Sequence, residues 1–223
     1  VAAMAVDSFG IFLNTTILTT TSPKVFVISI MVLVFYALRS GLEVWARVNE
    51  ILLPLVIIAI IVVLCLALGI ADFRRVLPVG EHSVGELLAS SITPGSMRGL
   101  VLAAAMLIPA LRDQKNLTRN LIGTVVAVGL ILSWVNIMSV AVFGPENCSN
   151  LEFPFFSLAR MIDLARIITR MELFIVLIWV FGVFVQICTL TYCSTMAAAQ
   201  AAGVTKYQPL MFPIFVLINA VAA

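Results

Sequence analysis

Long apolar runs separated by short charged clusters make up most of the chain. Between Glu50 and Asp72 lie 21 uncharged residues, 15 of them Ile, Leu or Val. At about 1.5 Å of rise per residue these cross the roughly 30 Å hydrocarbon core of a bilayer. At about 0.3–0.6 kcal/mol per side chain they favour insertion by roughly 5–9 kcal/mol. Uncharged runs of 26 residues between Arg119 and Glu146, and of 33 between Glu172 and Lys206, predict two more spans. The 14 residues between Lys24 and Arg39 predict a fourth, extended through Ser40, Gly41 and Leu42. Residues 1–18 read as the end of a more polar span, and 207–223 as the start of one that is cut short.

A shorter segment breaks the pattern. Only 13 uncharged residues, Gly99 to Leu111, separate Arg98 from Arg112, and they contain Pro109. They follow a helix-breaking stretch, Ser90 to Ser96, that includes Pro94 and Gly95. About 20 Å of helix cannot cross a bilayer alone. Interrupted hydrophobic segments of this kind mark broken helices at transporter binding sites, and a tilted or interfacial helix is the plainer alternative. Beyond Gly144, Ser157, Arg160, Asp163, Arg166 and Arg170 recur every three or four residues among apolar positions. That spacing predicts an amphipathic helix on the membrane surface, with Arg160–Asp163 and Asp163–Arg166 able to pair. Cationic residues are densest in the short 39–50 and 112–119 connections, which places those on the cytoplasmic side.

Composition agrees with the pattern and excludes several functions. Of the 223 residues 62% are hydrophobic and 11% charged, and mean hydropathy is +1.17. A soluble domain carries roughly 45–50% apolar and about 25% charged residues. The fold class expected is therefore all-α, a polytopic transmembrane helical bundle forming a single domain over 1–223. A net charge of +2 without a basic run offers nothing for nucleic acid. Four cysteines without a CxxC pair, and one histidine, His82, give no metal site, no cofactor and no catalytic constellation, so no enzyme is expected. The chain opens Val1-Ala2-Ala3 without a basic leader and stops in an apolar run, so it reads as a fragment of about seven spans.

Polar groups within spans are costly unless paired or facing a cavity, which makes each a candidate site. Asp7 and Asn14, seven residues apart, share one helical face. They are either a ligand-facing stripe or, for Asp7, a group at a membrane end. Gly182, Gln186, Thr189 and Cys193, spaced four, three and four, form a small and polar face. Helix packing explains Gly182 and Cys193, while the amide of Gln186 needs partners and faces either these or a cavity. Gly129, Ser133, Asn136 and Ser139 form a similar face, read as helix packing ahead of a functional stripe, and Arg39, Glu43, Arg47 and Glu50 read as a salt-bridged helix end, with a gate as the alternative.

The strings GLEVWARVNEILLPLVI, ADFRRVLPV, AMLIPAL and FPFFSLARMIDLARIITRMELFIVLIWVFGVF, in that order, resemble the spore germination B-subunit permeases, the GerAB-like family of the amino acid–polyamine–organocation (APC) superfamily. The resemblance runs from about Val6 to the end. Its most specific parts are Arg47, Glu50 and Pro54, then Leu77 to Val79, then Arg170 and Glu172 followed by Trp179. It implies a LeuT-like fold of two inverted five-helix repeats, of which this chain carries the third span to the ninth. It also implies a multi-pass protein of the spore inner membrane that binds a small germinant, such as an amino acid. The implied partners are an A-type membrane subunit and a C-type lipoprotein subunit of a germinant receptor. A half-helix starting near Thr93, Gly95 and Gly99 would offer backbone N–H groups to a ligand carboxylate. Asp7, Asn14, Gln186 and Thr189 would add side-chain hydrogen bonds. A secondary transporter of amino acids or related small solutes needs the same pocket and is the alternative.

Overall fold

The computed structural model describes residues 1–77, 83–98, 103, 105–110, 115–162, 171–204 and 207–222. Among these the regular elements are all helical: α1 (Ala2–Thr16), α2 (Pro23–Arg39), α3 (Leu42–Ala67), α4 (Val84–Arg98), α5 (Leu117–Phe143), α6 (Pro145–Ser149), α7 (Pro154–Met161), α8 (Met171–Ala201) and α9 (Gln208–Ala222). Two 3-10 helices, Phe73–Val76 and Ile108–Ala110, lie between them. Among the described residues, three helices are long and apolar enough to cross a membrane, and they correspond to the three longest predicted spans: Leu42–Ala67, Leu117–Phe143 and Ile175–Ala201, with mean hydropathies of 3.1, 2.3 and 2.1.

The fourth span is not extended as expected. α2 stops at Arg39 because Gly41 turns the chain with φ 93°, a conformation open to glycine. Its 17 residues rise about 26 Å, the short end of what spans a bilayer.

One compact unit comprises Val1–Leu55, Leu102–Leu107 and Ile178–Ala223. In it α1 and α2 form an antiparallel hairpin, and α9 packs against both. The buried residues of α2 are Val27, Ile30, Met31, Val34 and Leu38, the three- and four-residue spacing that puts them on one face. They meet Val6 and Phe9 of α1, Ile187 and Cys188 of α8, and Met211 and Ile218 of α9. The opposite face of α2 leaves Val25, Ile28, Val32 and Leu33 between 51% and 62% exposed, an outer surface suited to lipid. Close packing, not removal of apolar groups from water, holds such helices together in a bilayer. Aromatic contacts fix both ends of the unit. Trp179 stacks on Phe12 at 4.0 Å, and Tyr192 lies between Trp45 at 6.4 Å and Tyr207 at 5.6 Å.

The other unit comprises Val56–Val101 and Ile108–Leu177. Here the loop after α3 closes the C-terminal end of α5. The Asp72 backbone N–H donates to the Ala141 carbonyl at 3.1 Å, and the Arg75 guanidinium donates to the Val142 carbonyl. A cation at a helix C-terminus also opposes the negative end of its dipole. Phe156, Leu158 and Ala159 of α7 are buried, and α7 packs on α5. Of the surface helix expected over Ser157 to Arg170, the described residues form a helix over Pro154–Met161, which stops before an extended Ile162. Asp163, Arg166 and Arg170 lie outside the described residues, and so do the pairings expected of Asp163.

α4 overturns the expected break at Ser90 to Ser96. It begins at Val84 and runs through Pro94 and Gly95 to Arg98. A reciprocal cap starts it early: the Ser83 N–H donates to Glu86 Oε2 at 3.1 Å, and the Glu86 N–H donates to Ser83 Oγ at 3.3 Å. Only the first turn of a helix has free N–H groups, so the helix start expected near Thr93 lies at Val84 instead. A break does exist further on. Ala103 and Ala105 are helical, Met106 and Leu107 form a turn, and Ile108–Ala110 is 3-10.

Candidate functional site

The polar positions of the first unit are the candidates, and the structure separates them into distinct roles. Asp7 is exposed on α1 and lines a cavity of about 310 Å³ with Ser22, Lys24, Val27, Ile28 and Asn219. The cavity lies among α1, the start of α2 and α9. It takes its shape from a close approach of the first two helices at Gly10. A Cβ at Gly10 would meet the Pro23 carbonyl oxygen and Val27 Cγ2 at 3.0 Å each.

Asn14 shares the face of Asp7 but lines no part of that cavity. Its amide Nδ2 donates to the Thr21 carbonyl at 2.8 Å and the Thr19 carbonyl at 3.4 Å, which ties the α1–α2 turn to the helix before it. Thr15 and Thr16 return their hydroxyl protons to carbonyls of α1.

On α8 the expected polar face is graded along the helix. Gly182 is exposed, with nothing within 4 Å of a Cβ placed on it, so it makes no close helix contact among the described residues. Gln186 is half-buried and makes no hydrogen bond with a described residue. Thr189 is half-buried too, and its hydroxyl donates to the Val185 carbonyl at 2.8 Å, which leaves its oxygen free to accept. Cys193 is buried, and its Sγ reaches the Ala103 carbonyl at 3.4 Å. The interrupted segment therefore lies against α8 within this unit. Thr93 and Gly95 are in the other unit, inside α4, and Gly99 lies outside the described residues.

Sequence reading missed Lys24 and Asn219, which it treated as a span boundary and as part of a truncated span. It also missed two buried polar atoms, Trp45 Nε1 and Thr191 Oγ1, which have no hydrogen-bond partner among the described residues. No periodicity flags them, because Trp45 sits in a charged stretch and Thr191 beside Tyr192 in an apolar one. Among the described residues no cluster of His, Cys, Asp or Glu could hold a metal ion. Ser139 is buried on α5 with its hydroxyl on the Val135 carbonyl, while Gly129 of the same expected packing stripe is half-buried, with nothing within 4 Å of a Cβ placed on it.

Comparison with known proteins adds what geometry alone does not. A family model described as spore germination protein matches residues 1–222. Spore germination protein KB of Bacillus subtilis (strain 168) is 24% identical over 218 residues, covering 96% of this chain and 58% of that protein. Spore germination protein XB of Bacillus anthracis is 23% identical over 156 residues, 70% of this chain and 44% of that protein. Spore germination protein YndE of Bacillus subtilis (strain 168) is 23% identical over 179 residues, 78% and 48% respectively. The chain spans about half the length of these curated relatives. No solved structure matches it significantly.

Proposed function

The chain belongs to the spore germination protein family, and from that premise we propose that it is the permease-like membrane subunit of a germinant receptor. The observation that carries this reading is the family match over residues 1–222. The apolar helices long enough to span a bilayer accord with it. On this reading the protein sits in the spore inner membrane with an A-type membrane subunit and a C-type lipoprotein subunit. It binds a small germinant, such as an amino acid, and triggers germination.

The proposed architecture is the LeuT-like inverted repeat. The interruption at Met106 and Leu107, in the unit where Ala103 touches Cys193 of α8, is what supports it. The germinant site would draw on Gln186, whose amide makes no hydrogen bond with a described residue, and on the accepting oxygen of Thr189. Asp7 remains a candidate. Asn14 contributes by holding the turn. Germinant binding signals only if it favours one of two conformations over the other; the partner subunits would read that shift.

The test is a thermal-shift panel of amino acids, nucleosides and sugars on the purified protein in detergent. A ligand at about 100 times its dissociation constant stabilises the folded state by about 2.7 kcal/mol. One chemical class should raise the midpoint, and Gln186→Leu should abolish the rise. A rise that survives Gln186→Leu places the germinant elsewhere.

A further inference from the structure

The cavity of Asp7 holds two opposite charges that do not neutralise each other. Asp7 and Lys24 both line it, yet neither makes an ion pair with a described residue. Opposite charges that share a cavity beside an apolar, lipid-suited surface ordinarily find partners. Here the partner each lacks would come from outside.

The two charges come with fitting surroundings. Lys24 is the second residue of α2, and the N-cap Ser22 makes no side-chain cap bond. The positive end of the α2 dipole therefore adds to the lysine charge and makes one pole suited to an anion. Asn219, which lines the same cavity, donates from Nδ2 to the Phe215 carbonyl at 3.0 Å, so its Oδ1 can accept from a bound ammonium. Val27 and Ile28 line the cavity too and suit a short hydrocarbon link. At about 310 Å³ the cavity is small, at the low end of the roughly 300–1,000 Å³ usual for ligand sites.

Its position narrows the source of the ligand. On one side lies the polar turn of Thr19, Thr20, Thr21 and Ser22; on the other, the outward apolar face of α2 begins at Val25 and Ile28, which are 51% and 62% exposed. A cavity on that border stands where lipid headgroups meet acyl chains.

We propose that the Asp7–Lys24 cavity binds a zwitterion, an ammonium and an anion joined by a short link, supplied as the headgroup of phosphatidylethanolamine or as a free amino acid. The lipid form is a second site beside the germinant pocket. The amino acid form deepens the receptor reading and rests on it. Failure of that reading shows separately, in spores that lack the gene and still germinate normally.

The experiment titrates the purified protein in detergent with dihexanoyl phosphatidylethanolamine and with alanine. Dihexanoyl phosphatidylglycerol, ethylamine and acetate serve as singly charged counterparts. At least one zwitterion should bind saturably, at least tenfold more tightly than any singly charged probe. Asp7→Asn and Lys24→Gln should each weaken it tenfold or more without moving the midpoint of the unliganded protein, since both side chains are exposed. Binding of the lipid alone assigns a headgroup site, and binding of alanine alone assigns a solute site. The proposal is overturned if no zwitterion binds, if the singly charged probes bind equally well, or if both variants bind as the wild type does. The probe comparison needs no variant, so it decides even where a substitution unfolds the protein.

Discussion

Asn14 sits two residues before the end of α1 and donates its amide protons into the turn that follows. Replacing it by Ala removes a bond worth about 1 kcal/mol. The thermal midpoint of the protein in detergent should fall, and Asn14→Asp should fare no better because a carboxylate cannot donate. Gly10 has a different role. With Pro23 and Val27 atoms 3.0 Å from where its Cβ would be, Gly10→Val must push α2 off α1 at roughly 1–3 kcal/mol. That should lower the midpoint and also weaken whatever the adjoining cavity binds. Cys148 lies outside the spans, and burial pushes its thiol above its ordinary range. The thiolate is the reactive form, so below that raised value its reaction with a water-soluble maleimide should quicken about tenfold per pH unit. A rate that levels off at pH 9, the ordinary value of a thiol, would show it to be unshifted. Asp7 and Asn14 illustrate what the sequence could and could not disclose. Their seven-residue spacing put both on one face, but only the fold shows that Asn14 serves the turn while Asp7 lines a cavity with Lys24 of the next helix.

At the scale of elements, insertion energy made the long spans legible. Fifteen Ile, Leu or Val in 21 residues leave the segment after Glu50 no stable place but a bilayer or a deep core. Boundaries were less legible, because single residues set them. Gly41 ends α2 by its positive φ, and the Ser83–Glu86 cap starts α4 before Pro94 and Gly95 can break it. The S-x-x-E spacing of that cap stood in the sequence as a usable signal; the proline and glycine outweighed it in the reading. Arg75 offers a test of the loop that closes α5. Arg75→Ala loses the bond to the Val142 carbonyl and the favourable charge at the helix end, about 0.3–1 kcal/mol for the charge alone. Amide hydrogens of 138–144 should then exchange faster while those near Leu117 keep their protection. Uniform loss along α5 would contradict a local clamp.

For the whole molecule, composition indicated a membrane protein before any motif did, and the order of four strings indicated the family. The site was less legible, because a pocket draws residues from helices far apart in sequence. Lys24 and Asn219 are 195 positions apart and line one cavity. The proposed receptor role makes a physiological claim, that the protein couples a small molecule to the exit from dormancy. The most direct measurement is dipicolinic acid release from spores with an in-frame deletion of the gene, exposed to a panel of amino acids, nucleosides and sugars. Deletion spores should lose the response to one class of germinant, recover it with the wild-type gene, and remain deficient with Gln186→Leu. Spores that release dipicolinic acid at the wild-type rate with every germinant, despite lacking the protein, would contradict the receptor reading.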